Sequence, residues 1–258
     1  MVLGVDANRV LAALGRVREG RMYDLGRVLD ERSPAFPGRY FHQTLQPHPE
    51  PIGENRVNWV SDIVATTTQV GTHLDALCHL QADGRLHGGV DAAAAQGPSG
   101  FEAHGIETAP QFVTSGWLVD ASGLGPGEVI RVDDLAGIDP EPGDAVLFHT
   151  GWGAHWDDPE TYLSGEPGPG LAVAAWLAER GVALTGCDTW SYGPVPAEDP
   201  ARPFEVPQTL NVRHGVFVVE NLDLVALAAD GVREFALILT HPKLRGATGA
   251  WTSPIALV

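Results

Sequence analysis

The sequence QVGTHLDALCH, residues 69–79, places Gln69, His73, Asp75 and His79 at positions of one parity. Alternate residues of an extended chain face the same side, so these four side chains are predicted to share one face. His73 and Asp75 are two residues apart, about 6.6 Å along an ideal strand. From that separation an imidazole nitrogen and a carboxylate oxygen can converge on one cation.

Gly71 is expected to bend this segment. On a straight strand Gln69 would lie about 13 Å from His73, which is too far for the two to share an ion. Glycine permits a bulge or a tight bend that would bring Gln69 back toward His73. The segment therefore predicts a kinked strand end that presents nitrogen and oxygen ligands.

The ligand types indicate the ion and the chemistry. Imidazole with oxygen donors and no thiolate suits Zn²⁺ or Mn²⁺. His79 is close enough in sequence to act as general base or acid beside a metal-activated water. The spacing alone also fits a set of satisfied polar groups at a strand end. Cys78 is expected to be a small buried thiol; as a nucleophile it would need His73 or His79 as its base.

The rest of the chain predicts a mixed α/β fold. Helices are predicted at 170–180 and 222–229, and an amphipathic helix is predicted at 5–18 with Asp6 as its candidate N-cap. Residues 31–56 are predicted as one long loop. Short apolar runs bounded by Gly, Pro or Asp predict strands at 59–67, 116–120, 144–150, 182–188, 215–221 and 234–241. The strands outnumber the helices without regular alternation, which favours a single α/β domain with a central sheet and peripheral helices.

Composition excludes several classes of protein. The 258 residues carry a net charge of −17, which disfavours nucleic acid and anionic membrane surfaces as partners, and a small-molecule substrate is expected instead. Two cysteines cannot form a disulfide framework, which favours a reducing compartment. The N-terminus lacks the pattern of a signal peptide, and no apolar run is long enough to span a membrane. A cytoplasmic protein is expected.

The motif GTHLDALCH resembles the signature of the metal-dependent cyclase superfamily, commonly His-x-Gly-Thr-His-x-Asp-x-Pro-x-His. Further blocks resemble the family in the same order: MYDLGRVLDERSPAFPG, SGWLVDASG, EPGDAVLFHTGW, PGLAVAAWLAERGVALTGCDTW, HGVFVVENLDL and KLRGATGAWTSPIAL. The resemblance covers residues 22–258, which are expected to form the cyclase-like domain after an N-terminal helical segment at 1–21. It implies the family's swivelling β/β/α fold and a homodimer or homotetramer in which the N-terminal segment reaches a neighbour.

The resemblance, to a family that includes bacterial kynurenine formamidase and isatin hydrolase, also implies a reaction. It implies a metal-dependent hydrolase that opens a small cyclic amide, lactone or aryl amide. By the same resemblance His73 and Asp75 match metal ligands and His79 matches the catalytic histidine. Glu220 matches a glutamate that binds a second metal or a catalytic water; a capping or salt-bridged Glu after a strand is the alternative.

Two departures from the family pattern affect the metal site. Gln69 replaces the first His of the signature, and its amide oxygen is expected to act as a weaker metal ligand. About a dozen residues before Glu220, where two-metal members carry a His, this chain has Pro207 and Gln208. One divalent ion per chain, Zn or Mn, is therefore expected.

Three aromatic residues are candidates for substrate contact. Phe36 lies in the long loop, Trp59 shortly before the motif, and Trp190 just after a predicted strand. Each could stack on an aromatic substrate, and each has an alternative role in ordinary packing. Two further functions stay open at this stage. One is a biosynthetic cyclase or dehydratase that uses the same metal site, and the other is a catalytically silent binding homologue.

Overall fold

Nine strands form one mixed sheet at the centre of the molecule, in the order β1-β15-β13-β7-β9-β11-β12-β4-β14. The computed structural model describes residues 7–258. Strands β7, β9, β11 and β12 run parallel, and every other neighbouring pair in this sheet is antiparallel. The prediction of a mixed α/β domain with a central sheet is confirmed.

The fifteen strands are short. Their bounds are β1 Met22–Asp24, β2 Phe41–Pro47, β3 Val60–Thr66, β4 His73–Asp75, β5 Gln96–Gly97, β6 Gly100–Phe101, β7 Phe112–Asp120, β8 Val129–Ile130, β9 Ala145–His149, β10 Gly168–Pro169, β11 Leu184–Cys187, β12 Phe217–Glu220, β13 Glu234–Leu239, β14 Gly249–Trp251 and β15 Ile255–Leu257.

Helices are few and peripheral. The α-helices are α1 Ala7–Leu14, α2 Pro159–Leu163, α3 Leu171–Glu179, α4 Glu205–Gln208 and α5 Val225–Ala229. Single 3₁₀ turns lie at His87–Gly89, Ile106–Thr108, Val132–Leu135 and Trp152–His155, and a π-helical turn at Thr209–His214 follows α4 directly.

The central strands are buried on both faces, which explains their nearly continuous apolar sequence. Successive residues of β9 enter two different cores, because side chains alternate across a strand. Leu147 joins the core that includes Leu184 and Val219, whereas Phe148 joins the core beneath α3. The sheet thereby forms a rigid platform between two apolar layers.

The predicted loop at 31–56 is partly wrong. Residues 41–47 form β2, which pairs with β3 over seven residue pairs as a two-stranded antiparallel ribbon outside the main sheet. Nearly every residue of the ribbon is exposed. Its polar and apolar residues alternate weakly because neither face packs on the core. The sequence therefore lacked the pattern from which β2 could be predicted.

The N-terminal helix is shorter than predicted. Within the described residues α1 covers Ala7–Leu14 and packs against β7 and β13. The predicted start of the helix at residue 5 and the N-cap at Asp6 lie outside the described residues. The division of the chain at residue 21 stays a prediction. Among residues 7–258, no helix has the length and apolar character needed to cross a membrane.

Candidate active site

Three neighbouring strands bring the polar side chains of the site together. In the sheet register Glu220 of β12 lies opposite His73 of β4, and Trp251 of β14 lies opposite His73 on the other side. Residues directly opposite in an antiparallel pair share a face. His73, Asp75 and Glu220 therefore point to one face at the end of β12, although 145 positions separate Asp75 from Glu220 in the chain.

The ligand atoms of these three residues form a tight cluster. His73 Nε2 lies 3.5 Å from Asp75 Oδ1 and 3.3 Å from Glu220 Oε2. One ligand atom from each residue falls within 4.8 Å of the other two, and all three side chains are buried. His73 Nε2 and Asp75 Oδ1 have no hydrogen-bond partner among the described residues. Buried polar atoms without partners are costly, and a shared cation would satisfy both.

The ring of His73 is held with its free nitrogen toward the carboxylates. Its Nδ1 lies 2.7 Å from the carbonyl oxygen of Gly71, which can only accept, so Nδ1 carries the proton. Nε2 then offers a lone pair, the form in which imidazole binds metals. Gly71 has a φ of 71°, and its left-handed conformation turns this carbonyl back toward His73.

A second layer of hydrogen bonds fixes the Gly71 carbonyl. The side-chain Nδ2 of Asn221 donates to this carbonyl at 3.0 Å, and the backbone carbonyl of Asn221 accepts from Thr72 Oγ1 at 2.7 Å. The buried Tyr162 hydroxyl lies 2.9 Å from Asn221 Oδ1. Because every member is buried and engaged, the imidazole direction is set by the fold and needs no ion to establish it.

Burial also sets the charge state of the cluster. Desolvation lowers the pKa of His73, so the neutral ring is favoured. Desolvation raises the pKa of Asp75 and raises that of Glu220 to about 7. The donor set of one imidazole and two carboxylates without thiolate suits a divalent ion such as Zn²⁺ or Mn²⁺, whose charge would offset the burial of both carboxylates. The residues present thus fit a metal centre.

A small cavity of about 110 Å³ opens beside the cluster. His79, Asp75 and Glu220 line its floor, and His79 Nε2 lies 3.9 Å from Asp75 Oδ1. Phe36 and Trp190 stack at one side with centroids 5.3 Å apart, and Phe204 meets both rings edge-on. The cavity therefore combines a metal-ligand cluster, a histidine and an aromatic wall.

The comparisons with known proteins agree with this architecture. The family described as "Putative cyclase" matches residues 23–194. The chain belongs to the cyclase family. A kynurenine formamidase of Bordetella petrii is 27% identical over 231 residues, which cover 85% of this chain and 90% of the relative.

Two solved structures share the fold. A crystal structure of a novel cyclase covers 98% of this chain and 94% of its own, with a TM-score of 0.87 at 26% identity. Isatin hydrolase A of Ralstonia solanacearum shares the fold over 100% of this chain and 99% of its own, with a TM-score of 0.71 at 22% identity. The predicted cyclase-like fold and the predicted enzyme class, a hydrolase, are confirmed.

Within this cyclase-family chain, two predicted site residues, Gln69 and Trp59, are not among the residues that line the cavity. Both polar atoms of the Gln69 amide are engaged by threonines, Oε1 by Thr68 at 3.0 Å and Nε2 by Thr248 at 3.1 Å. The role of Gln69 as a ligand stays a prediction. Trp59 is 46% exposed, and its ring centroid lies 4.1 Å from that of His48, just beyond the end of the β2–β3 ribbon. Trp59 is not among the residues that line the cavity of its own chain, because the ribbon carries it away from the sheet.

Sequence reasoning missed two ionisable residues, Arg39 in the cavity and Glu166 beside the backbone of Trp190. Arg39 lines the cavity from the segment before β2. Glu166 is fully buried, and its Oε2 accepts from the backbone amides of Trp190 and Ser191. Burial raises the pKa of Glu166 well above its usual range, and the charge of Glu220 adds to this. No local pattern marked either residue, since both depend on distant chain segments.

Proposed function

We propose that this protein is a metal-dependent hydrolase that opens a small cyclic amide, lactone or aryl amide. The observation that carries the proposal is the convergence of His73 Nε2 and Asp75 Oδ1 on Glu220; both atoms are buried and have no hydrogen-bond partner among residues 7–258. His73, Asp75 and Glu220 are proposed as the ligands. The relative named kynurenine formamidase supports an amide-type substrate.

The chain's own residues supply positioning and proton transfer. The bound ion would lower the pKa of a water and polarise the scissile carbonyl. His79 would take the water proton and return it to the leaving nitrogen or oxygen. Phe36, Trp190 and Phe204 present apolar ring surface on which the flat part of a substrate can pack.

One ion per chain, Zn or Mn, is part of the proposal. The described residues gather three close His, Cys or acidic ligands at a single place. Gln208, near the position where a further His was expected in two-metal relatives, directs its amide to the carbonyl of Gln81 at 2.6 Å. The donor types favour Zn²⁺ or Mn²⁺ over Mg²⁺ or Ca²⁺, which prefer oxygen ligands alone.

Metal content measured by plasma mass spectrometry on protein purified without chelators tests the proposal. One Zn or Mn per chain is expected in the wild type and in His79→Ala, and a large loss in His73→Ala. Hydrolysis of a panel of cyclic amides, lactones and aryl amides should be present in the wild type and absent in His79→Ala. His155→Ala, which alters a histidine of the Trp152–His155 turn outside the cavity, is the matched control.

Each alternative gives a different result. A wild type that binds no metal after addition of Zn²⁺ and Mn²⁺ would refute the hydrolase mechanism and favour the silent binding homologue. Metal-loaded protein that closes ring-opened acids and opens no ring would favour the biosynthetic cyclase. Turnover that survives in His79→Ala would refute the role of that histidine alone.

We also propose that the chain assembles with a second copy through the β2–β3 ribbon. Leu45 and Val60 share one ribbon face with Val64 and are 66% and 58% exposed. A two-stranded ribbon alone is only marginally stable in water, so a partner for this face would stabilise it. A cytoplasmic location completes the proposal, because Cys78 and Cys187 are both free thiols.

A further inference from the structure

Arg39 is a cation of the cavity that forms no ion pair among residues 7–258. Its guanidinium donates to the carbonyl of Gln69 at 3.2 Å and lies 5.7 Å from the ring centroid of Phe36. The described residues contain eight ion pairs made by arginines, and none of the eight involves Arg39. A guanidinium has five N–H donors, so most of its hydrogen-bonding capacity is still free.

The charges around the cavity leave this cation uncompensated. The groups with a formal charge that line the cavity are Arg39, Asp75 and Glu220, together with the titratable His79. A divalent ion held by Asp75 and Glu220 would balance their two negative charges. The half-buried charge of Arg39 is then left over beside the aromatic wall, and a partly buried charge without a counter-charge is costly. The loaded cavity is complementary to one monoanion.

The chemistry of the proposed reaction supplies such an anion. Hydrolysis of an amide breaks the C–N bond and forms a C–O bond, with one proton passing to the leaving amine. The carboxylic acid that results is ionised at neutral pH. A carboxylate accepts two parallel hydrogen bonds from a guanidinium, which is stronger and more directional than a contact with an ammonium.

We infer that Arg39 is the carboxylate-recognising residue of this site, for a ligand whose aromatic ring packs on Phe36 and Trp190. This inference rests on the proposed function and narrows its substrate class. The ligands are aromatic acids, either substrates that carry a carboxylate beside the scissile bond or the ring-opened products. A cavity of about 110 Å³ is of the size that holds one small ring.

Binding of two probes that differ only in charge tests the inference. Benzoate and benzamide have the same ring and nearly the same shape. Their affinities for Zn²⁺-loaded protein are measured by calorimetry in the wild type, Arg39→Met, Arg39→Lys and Arg32→Met. Arg32 lies in the same loop but is 90% exposed on its side chain and paired with Asp30, so its variant removes the same charge outside the cavity.

The wild type should prefer benzoate over benzamide, and Arg39→Met should reduce that preference at least about tenfold. Arg39→Lys should keep part of the preference and Arg32→Met all of it. A preference equal in the wild type and Arg39→Met would overturn the inference, because the ion alone would then bind the carboxylate. A loaded wild type that does not bind benzoate would overturn it as well.

A third probe distinguishes recognition of a substrate carboxylate from recognition of a product carboxylate, and a zinc measurement separates failure of this inference from failure of the proposed function. The probe 4-carbamoylbenzoate carries an intact amide and a separate carboxylate. If Arg39→Met weakens the binding of 4-carbamoylbenzoate, Arg39 recognises an acid group of the substrate. If Arg39→Met weakens the binding of benzoate alone, Arg39 recognises the carboxylate of the product. Zinc content is measured in every variant: absence of zinc from the wild type counts against the proposed function, and a zinc-loaded protein without an Arg39-dependent preference counts against this inference alone.

Discussion

Replacing Gly71 with alanine should destabilise the protein and weaken metal binding together. Gly71 adopts a φ of 71°, and a Cβ built on it would lie 2.2 Å from Leu29 Cδ2 and 2.9 Å from Leu29 Cγ. Both distances are shorter than any ordinary carbon contact, so Leu29 or the backbone must move. The carbonyl of Gly71 also accepts from His73 and from Asn221, which links the backbone conformation to the ligand.

Two effects contribute to the expected loss of stability in Gly71→Ala. A left-handed conformation costs a residue with a Cβ about 1–2 kcal/mol relative to glycine. Forcing a methyl group into occupied space costs about 1–3 kcal/mol. The free energy of unfolding of Gly71→Ala should therefore fall by about 2–5 kcal/mol. Because second-layer partners of a metal-binding His contribute tenfold to a hundredfold in affinity, Zn²⁺ binding should weaken by about that factor.

Gly84→Ala is the matched control for the conformational part. Gly84 has a φ of 69°, and nothing lies within 4 Å of a Cβ at that position. Urea unfolding of apo protein should show a loss of only about 1–2 kcal/mol in this variant. Adding Leu29→Ala to Gly71→Ala removes the group in collision, and a double-mutant cycle should show a coupling that recovers about 1–3 kcal/mol.

The assay compares urea midpoints at constant slope, since a change in slope would mean a change in the denatured state. If Gly71→Ala were no less stable than Gly84→Ala, the steric reasoning would be refuted. If it lost stability but bound Zn²⁺ as tightly as the wild type, the proposed coupling between the Gly71 carbonyl and His73 would be wrong.

Three further predictions follow from the same structure. Burial alone would lower the pKa of His149, but the contact with Asp188 outweighs burial and raises this pKa. Burial alone would raise the pKa of Asp188, but the contact with His149 and the hydrogen bonds from Thr150 outweigh burial and lower this pKa. The pair should stabilise the fold most between about pH 4 and pH 6.5, and its contribution should fall as pH rises through the raised pKa of His149. Glu220→Gln should lower Zn²⁺ affinity at least about tenfold in a calorimetric titration, whereas Glu166→Gln, also buried but outside the ligand cluster, should not. Leu45→Glu on the ribbon should lower the molar mass measured by light scattering to that of the monomer, because it would bury a charge in the proposed interface.

Controls for these predictions use the same elements. The stability difference between wild type and His149→Gln, measured by urea unfolding, should shrink between about pH 6 and pH 9, and a constant difference would contradict the assigned pair. Equal zinc affinity in Glu220→Gln and the wild type would remove Glu220 from the ligands. Thr44→Glu adds the same charge to the opposite ribbon face, and an equal effect of both ribbon variants would count against the assigned face.

Local sequence determined the half of the site that lies within one short segment. The spacing of His73 and Asp75 required a common face on any extended chain, and Gly71 marked the bend that the structure contains. The buried strands β9, β11 and β12 were also predictable, since continuous apolar runs between turn residues have few alternatives. These features depend on contacts between residues near one another in the chain.

Tertiary structure alone decided which distant groups complete the site. Only the register of β12 on β4 places Glu220 opposite His73, and only the course of the segment before β2 brings Arg39 to the cavity. The same holds for Glu166, which is fully buried and accepts from the backbone amide of Trp190. The physical reason is that cross-strand register and burial depend on how the whole apolar surface of the chain packs, and that information is not carried by the spacing of residues within any one segment.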